Sequence, residues 1–298
     1  MDLGGTKTEA IALGDDGRTL ARRRVVSPRD DYPATLETIV TLVGEIERET
    51  QARGSVGVGV PGAISPAAGV LKNANSTWLN GQPLRADLER RLGRPVRLAN
   101  DANCFALSEA RDGAGAGARV VFGVILGTGT GGGIVVDGQV LTGPNAIAGE
   151  WGHNALPRPQ GNEWPGPRCY CGRTGCVELF LSGPGLERDH HERTGARLEA
   201  AAIGRGAEAG DAACLHTFEL YADRLARALA MVMNVLDPDV IVLGGGLSNL
   251  SRLYVRVPEL WPAYVFSDRV DTRLAPPKHG DSSGVRGAAW LWDPGEPA

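Results

Sequence analysis

Residues 120–141 read VVFGVILGTGTGGGIVVDGQVL, and this stretch decides the fold class. An apolar strand enters a glycine loop, an alternating strand leaves it, and an Asp-Gly turn starts a third strand. The chain opens with the same order of features: a Gly-Gly-Thr-Lys loop at 4–7, the strand TEAIAL, an Asp-Asp-Gly turn and the strand TLARRRVV. Two regions that begin alike predict a two-domain α/β protein with a duplicated nucleotide-binding half.

Helical and strand patterns alternate along the rest of the chain. Apolar residues recur every three or four positions at about 32–53 and about 211–236, which predicts two amphipathic helices. The segments VGVGV (56–60), VRLAN (96–100) and DVIVLGGG (239–246) have the composition of buried strands. VRLAN runs directly into DANCFALSEA, which predicts a strand that enters a helix.

The small-residue stretch DGAGAGA, at 112–118, is the best candidate for a domain boundary. We therefore expect an N-terminal α/β domain at 1–117 and a C-terminal α/β domain at 118–283 with a loop at 153–178. A short helix is predicted at about 284–298, where it would pack back on the first domain.

Bulk composition excludes several classes of protein. The net charge is −4 and the sequence pI about 5.8, so no basic surface is expected to attract nucleic acid. No apolar run reaches the ~20 residues that a membrane span needs, and the sequence starts without a signal-peptide pattern. We expect a cytoplasmic protein with no nucleic-acid or membrane partner, whose five cysteines are reduced.

The glycine runs predict phosphate binding. GTGTGG at 127–132 fits the dinucleotide fingerprint, but it leads into a strand where that fingerprint requires a helix. Glycine loops in hairpins can still close backbone N–H groups on phosphate oxygens, and the hydroxyls of Thr6, Thr128 and Thr130 and the amine of Lys7 would add donors. For any single run, the alternative is a tight turn without a ligand.

Seven motifs in this order resemble the ROK family of bacterial sugar kinases, closest to its fructokinase/mannokinase branch. They are DLGGTKTEA, GVGVPGAIS, NDAN, GTGTGGG, AGEWGH, CYCGRTGCVE and IVLGGG. The resemblance spans essentially the whole chain. It implies a two-domain actin/hexokinase-like (RNase H-like) ATPase fold in which ATP and sugar meet in a cleft between the domains, and we expect a homodimer.

The resemblance also bears on CYCGRTGC (169–176), where three cysteines could form a disulfide, a redox switch or part of a metal site. Reduced thiols argue against a stable disulfide, and a redox pair is more often C-x-x-C. Cys169, Cys171, Cys176 and the upstream His153 would make a closed tetrahedral set for a structural Zn²⁺. The zinc loop would present two acidic residues, Glu150 and Glu178, because each is close in sequence to a ligand.

The resemblance implies roles for the remaining motifs. Asp101 would be the catalytic base, although on its own it is more often a helix N-cap. Substrate contacts would come from Asn75, Asn100, Asp101, Glu150, His153 and Glu178. Asp2 would orient Mg²⁺, and ATP would contact Gly4, Gly5, Thr6, Lys7, Gly127, Thr128, Gly129, Thr130, Gly131, Gly132, Gly133, Gly244, Gly245 and Gly246.

One departure concerns the first strand. Family members usually carry several apolar residues ahead of D-L-G-G-T, and here only Met1 precedes it. We expect either a start that is misassigned or trimmed, or a curtailed first strand that holds Asp2 and Gly4 less rigidly.

We therefore expect an ATP- and Mg²⁺-dependent hexose kinase that phosphorylates the 6-hydroxyl, with D-fructose as the expected substrate. Mannose, glucose and N-acetylglucosamine are alternatives within the same chemistry. A sugar-sensing regulator without kinase activity is an alternative of another class. A zinc hydrolase would need an open ligand position, which a Cys₃His set does not leave.

Overall fold

The computed structural model describes residues 1–296. Its strands are β1 (Asp2–Leu3), β2 (Lys7–Leu13), β3 (Thr19–Val26), β4 (Val56–Val60), β5 (Ala63–Ile64), β6 (Leu71–Lys72), β7 (Val96–Asn100), β8 (Val120–Leu126), β9 (Thr130–Val136), β10 (Gln139–Val140), β11 (Val240–Gly244) and β12 (Arg273–Ala275). Its α-helices are α1 (Tyr32–Thr50), α2 (Leu84–Leu92), α3 (Asp101–Arg111), α4 (Glu178–Leu181), α5 (Gly183–Thr194), α6 (Ala200–Glu208), α7 (Ala212–Leu236), α8 (Leu253–Leu260) and α9 (Ser283–Ala289). No helix within these residues is both long enough and apolar enough to cross a membrane.

The chain forms two compact units. Unit 1 comprises Met1–Gly117, Gly133–Ala148 and the segment from Asp281 onward, and unit 2 comprises Ala118–Gly132 and Gly149–Gly280. The sequence assigned all of 118–283 to one domain, whereas residues 133–148 lie in unit 1. Their packing explains this: a Cβ at Gly133 would lie 2.5 Å from the carbonyl oxygen of Ala102 in α3, so this stretch runs directly against an element of unit 1.

Unit 1 is built on a five-stranded sheet in the order β3-β2-β1-β4-β7. The central strand β1 pairs antiparallel with β2 and parallel with β4, which places Asp2 opposite both Glu9 and Gly59. Apolar side chains of α1, including Ile39 and Leu42, are buried in the core that covers this sheet. The mixed sheet therefore places Asp2 at the start of β1 beside Gly59 near the carboxyl end of β4, and the edge strand β7 runs parallel to β4 on its other side.

Helix α9 packs inside unit 1. A Cβ at Gly287 would lie 1.6 Å from the carbonyl oxygen of Cys104, and one at Gly57 would lie 1.8 Å from that of Ala288. Only glycine allows α9 to approach α3 and β4 this closely. The predicted C-terminal helix at about 284–298 is thus the shorter α9, Ser283–Ala289. Residues 297 and 298 of that prediction lie outside the described part of the chain.

The centre of the unit 1 sheet contains a gap beside β1. Strand β2 continues to Leu13, whereas its pairing with β1 covers only Thr8 and Glu9. A cavity of about 410 Å³ lies there, lined by β2, β4, α1 and the segment after α9. The buried Met1 ammonium donates to Gly57 O at 2.7 Å, and burial lowers its pKa to about 6. Strand β1 is thus only two residues long, which follows equally from a trimmed start and from a curtailed first strand.

Unit 2 is built around the second sheet, in the order β10-β9-β8-β11-β12, with the unit boundary falling within β9. Strands β8, β11 and β12 are parallel, and Val240 to Gly244 pair residue by residue with Val121 to Ile125. The predicted long helix is confirmed as α7, which Asp211 caps by accepting from Cys214 N. Its buried residues include Leu225 and Leu229.

Candidate functional site

Unit 2 contains a cluster of one histidine and three cysteines. The ligand atoms of His153, Cys169, Cys171 and Cys176 all lie within 4.8 Å of one another. The Sγ atoms of Cys171 and Cys176 are 3.6 Å apart, and Cys169 Sγ is 3.7 Å from His153 Nδ1. A tetrahedral zinc with Zn–S bonds of about 2.3 Å requires sulfur–sulfur separations of roughly 3.8 Å. The four residues therefore fit a zinc ion.

Local backbone bonds build this cluster. Cys169 N donates to Arg173 O and Gly172 N donates to Cys169 O, which closes a tight turn around Cys171. A β-bridge between Ala155 and Cys176 brings the two ends of the loop together. Because the loop is irregular and Pro-rich, a metal that ties four of its side chains together would supply order that its small apolar core cannot.

The thiols differ in their protonation behaviour. A backbone hydrogen bond from Arg173 lowers the pKa of Cys171, whereas burial raises the pKa of Cys176 to about 12. A coordinating cation deprotonates such thiols outright. Four protein ligands leave no coordination position for water, so the set suits a structural zinc and not a hydrolytic one.

A buried ion network holds the segment ahead of the cysteines against α7. Glu163 Oε1 accepts from Arg224 Nε at 2.7 Å and from Arg227 Nη2 at 3.0 Å. Burial raises the pKa of Glu163, but the bonds from Arg227 and Arg224 outweigh burial and hold it below its usual range. Arg227 also donates to the carbonyl oxygens of Pro157 and Arg158. Sequence reasoning missed this anchor, since a glutamate in a Pro-rich loop carries no local signal.

Glu178 connects the metal loop to the glycine loop. It is the first residue of α4, two positions after Cys176, and its Oε2 accepts from Thr130 N at 3.0 Å. A Cβ at Gly129 would lie 2.7 Å from the same oxygen. The carboxylate therefore occupies the space that a side chain at Gly129 would need.

A buried tryptophan positions the Glu150–His153 segment. Trp151 is 4% exposed, donates from Nε1 to Gly131 O at 2.8 Å, and packs edge-on against Phe122 with ring centroids 5.5 Å apart. Glu150 is exposed beside it, whereas His153 is half-buried. Trp151 was not among the predicted site residues, although its place between Glu150 and His153 pointed to it.

The glycine loop divides into a turn and a packed strand. Gly127 N donates to Gly129 O, which leaves Thr128 exposed at the tip of the turn. The sequence predicted that the Thr130 hydroxyl would be a donor to phosphate. Thr130 is instead only 6% exposed, so its hydroxyl does not face solvent, and its N–H donates to Glu178. A Cβ at Gly132 would lie 2.9 Å from both Phe122 and Trp151.

Two of the later glycines thus serve packing, because Gly132 accommodates Trp151 and Gly133 accommodates α3. Gly131 is engaged through its carbonyl oxygen. The backbone of Gly127–Gly129 remains the part of this loop that suits phosphate.

The third glycine run follows β11. Gly244 ends the strand, and Gly245 adopts φ +79°, where a Cβ would lie 2.4 Å from Leu126 O. Gly246 is exposed, with open space where a side chain would be. Gly245 and Gly246 thus offer an accessible backbone surface, whereas Gly244 is buried in the strand, and nucleoside binding at these glycines stays a prediction.

In unit 1, Asn100 and not Asp101 caps helix α3. The Asn100 side chain accepts from Ala102 N at 2.9 Å and donates to Gly62 O at 3.0 Å. Asp101 occupies the first helical position, is exposed, and accepts from Ala102 N at 2.8 Å. The helix end is satisfied by Asn100, so a carboxylate at 101 is not needed as the cap. Asn100 is correspondingly less free to contact a sugar.

The first glycine loop is a tight turn between β1 and β2. Gly4 N donates to Lys7 O, and Thr6 and Lys7 are exposed. Burial raises the pKa of Asp2, while the Met1 ammonium opposes that rise. A partly buried carboxylate such as Asp2 has few water partners, so it is a suitable ligand for a cation.

Asn75 lies in the segment between β6 and the short 3₁₀ turn at Thr77–Leu79. Asn80 makes two hydrogen bonds with the backbone of Ala74 in this segment. Its Oδ1 accepts from Ala74 N at 2.8 Å, and its Nδ2 donates to Ala74 O at 2.9 Å. Asn75 is exposed. These two bonds fix the backbone at Ala74, directly before Asn75. A fixed backbone favours a role for the exposed Asn75 side chain in binding over a role in the turn alone.

The geometry can be compared with known proteins. The sequence profile of the ROK family matches residues 1–294. An N-acetyl-D-glucosamine kinase of Escherichia coli O127:H6 is 43% identical over 298 residues, covering 98% of this chain and 97% of that protein. A ROK hexokinase from Thermus thermophilus superposes with a TM-score of 0.86 at 33% identity, covering 97% of this chain and 95% of that one.

A third relative is a ROK glucokinase from Streptomyces griseus, solved with glucose and AMPPNP. It has a TM-score of 0.78 and 27% identity, and 97% of each chain is covered. These likenesses confirm the predicted α/β fold of the actin/hexokinase-like class. Because the family profile matches nearly its full length and a relative is 43% identical across 98% of it, the chain belongs to the ROK family.

Proposed function

We propose that this protein is an ATP-dependent sugar kinase that phosphorylates the 6-hydroxyl of a hexose. The observation that carries the proposal is the arrangement at α3. Asn100 caps the helix, and the next residue, Asp101, presents an exposed carboxylate at the first helical position, where a base for the sugar hydroxyl would act. The names of the relatives, a kinase, a hexokinase and a glucokinase, support the same reaction class.

For the preferred hexose, we propose N-acetylglucosamine. The motifs had favoured fructose, but no compared relative named above carries that name, and the relative at 43% identity is an N-acetyl-D-glucosamine kinase. N-Acetylglucosamine was already among the alternatives that the sequence left open. Fructose, mannose and glucose remain arms of the test.

In this mechanism Asp101 accepts the proton of the sugar 6-hydroxyl as that oxygen attacks the γ-phosphorus of ATP. The bond from the γ-phosphorus to the bridging oxygen breaks, and ADP leaves. Phosphoryl transfer depends mostly on position and charge stabilisation. We assign phosphate contacts to the Gly127–Gly129 turn and the Gly4–Lys7 turn, and nucleoside contacts to Gly244–Gly246.

Two metals would support the site. Asp2 would hold Mg²⁺, which neutralises phosphate charge when bound. His153, Cys169, Cys171 and Cys176 would hold zinc, which fixes the loop that carries Glu150 and Glu178. We assign those two carboxylates, with His153, Asn75 and Asn100, to the sugar hydroxyls.

A coupled ADP-release assay across N-acetylglucosamine, fructose, mannose and glucose tests the proposal. We expect the highest kcat/KM with N-acetylglucosamine. A higher value for fructose would return the substrate to the one that the motifs favoured. Sugar binding in calorimetry without ADP release from any of the four would instead identify a sugar-sensing regulator.

A further inference from the structure

Residues 157–163 form a connector between two parts of the metal site. The histidine ligand comes before this connector and the three cysteines come after it. An ion bound by all four residues therefore closes a loop of 16 positions from His153 to Cys169. Closing a flexible loop costs conformational entropy, which lowers the affinity for the ion. A connector that is already fixed in the bound arrangement avoids much of that cost.

Arg227 of helix α7 fixes the first part of the connector. Its Nη1 donates to the carbonyl oxygens of Pro157 at 2.9 Å and of Arg158 at 2.8 Å. The Arg227 side chain is only 1% exposed, so water does not compete for these bonds. A guanidinium that bonds two successive carbonyls fixes both the position and the direction of the chain there.

Glu163 fixes the other end of the connector. Its Oε1 accepts from Arg224 Nε at 2.7 Å and from Arg227 Nη2 at 3.0 Å, which binds it to α7. Its Oε2 accepts from the backbone N–H of Gln160 at 2.8 Å and thereby closes the short 3₁₀ turn Gly161–Glu163. One carboxylate thus holds this turn in shape and holds it against the helix.

The chain at both ends of the connector is bonded to Gly175, the residue before Cys176. Leu156 N donates to Gly175 O, and Gly175 N donates to Pro167 O, each at 2.9 Å. A Cβ at Gly166 would lie 2.8 Å from Gly175 Cα, so the two backbones are in close contact. A shift of the connector would therefore move the backbone that carries a metal ligand.

We propose that Glu163, Arg224 and Arg227 are positioning residues for the metal ligands. They hold the connector in its metal-binding arrangement and thereby raise the affinity of the Cys₃His set for zinc. The inference rests on the proposed function, since it needs the zinc that is assigned there to this set. The three residues act through the backbone of the connector and through no bond to the ion.

The test is the zinc affinity of the zinc-loaded proteins, measured without sugar or nucleotide by titration with a chromophoric chelator of known affinity. Glu163→Gln removes the charge, whereas Arg227→Lys keeps the charge but loses the fork that reaches two carbonyls. The matched control is Asp189→Asn. Asp189 pairs with Arg224 at 3.1 Å in the same buried network, but it lies on helix α5 and not on the connector. Circular dichroism and the Tm show whether each protein is folded.

We expect Glu163→Gln and Arg227→Lys to raise the zinc Kd about 10- to 100-fold, the range for residues that orient metal ligands from outside the ligand set. Asp189→Asn removes a charge from the same network without touching the connector. It should leave the zinc Kd close to that of wild type, even if its Tm falls.

An unchanged zinc Kd in either folded variant, or an equal rise in Asp189→Asn, would overturn the proposal. If Glu163→Gln does not fold, the zinc Kd of the milder Arg227→Lys decides. A wild type that binds no zinc would refute the metal site and this inference together. A wild type that binds zinc but phosphorylates none of the four sugars would refute the proposed reaction alone, because the zinc comparison needs neither sugar nor ATP.

Discussion

Replacing Gly129 with alanine should weaken sugar binding through Glu178. The backbone at Gly129 lies outside the left-handed region, so alanine is tolerated conformationally. Its Cβ would lie 2.7 Å from Glu178 Oε2, and a contact this short forces a shift. The carboxylate would move away from Thr130 N, to which it is bonded at 3.0 Å.

The size of the effect follows from that bond. A hydrogen bond to a charged group is worth ~1.5–3 kcal/mol. If it holds Glu178 in place for the sugar, its loss raises the Kd by up to roughly 10- to 150-fold. Gly127→Ala is the matched control, since a Cβ at Gly127 meets open space two positions away in the same turn.

Calorimetry with N-acetylglucosamine, and ATP titrations at saturating sugar, would separate the two proteins. We expect a raised sugar Kd for Gly129→Ala and an unchanged one for Gly127→Ala, with similar melting temperatures. A Gly129→Ala variant with a higher KM for ATP and an unaltered sugar Kd would refute the coupling. It would support the prediction from sequence that this glycine serves the nucleotide alone.

Three further predictions concern other parts of the molecule. Asp101→Asn should lower kcat by ~10²–10⁴-fold with little change in ATP affinity; retention of more than about a tenth of wild-type kcat would exclude it as the base. Chelation, or Cys171→Ser, should raise the sugar Kd by roughly tenfold or more and affect ATP binding less; elemental analysis that finds no zinc in wild type would contradict this. Burial lowers the pKa of the Met1 ammonium from 8.0 to about 6, so the unfolded chain binds more protons between these values. The Tm of the 298-residue chain should therefore rise from pH 6 to pH 8. A short apolar extension before Met1 should raise the Tm by filling the 410 Å³ cavity, and it should make the rise with pH smaller. A Tm that does not change with the extension would show that the cavity does not destabilise the protein.

Local patterns were sufficient to predict the main helices and strands and the grouping of the three cysteines, whereas the actin/hexokinase-like fold was inferred from the resemblance to the ROK family. The 3-4 spacing of α7 and the apolar runs of β4, β7 and β11 are local signals, and so is the C-x-C-x₄-C spacing. The sequence could not distinguish the roles of the glycines within GTGTGGG. Gly127 and Gly132 are both glycine, but Gly127 lies in an open turn, whereas Gly132 leaves the space that Trp151 occupies.

Contacts between distant segments also escaped prediction. The bond from Thr130 to Glu178 joins residues 48 positions apart, and the bonds of Glu163 to α7 span more than 60. The sequence offered the cap as an alternative role for Asp101, whereas Asn100 makes it, and both residue types favour that position. In each case the outcome depends on which side chain the tertiary structure brings within reach.

The interleaving of the two units has a consequence for synthesis. Unit 2 is complete once residue 280 has been made, whereas unit 1 still lacks α9. Domains usually fold in the order in which they leave the ribosome. Here the sheet that is made first lacks the packing of α9 on β2 and β4 until Gly287 can seat against Cys104. During translation the N-terminal sheet is thus the part exposed to aggregation, and a chain interrupted between residues 280 and 283 would contain all of unit 2 but none of α9.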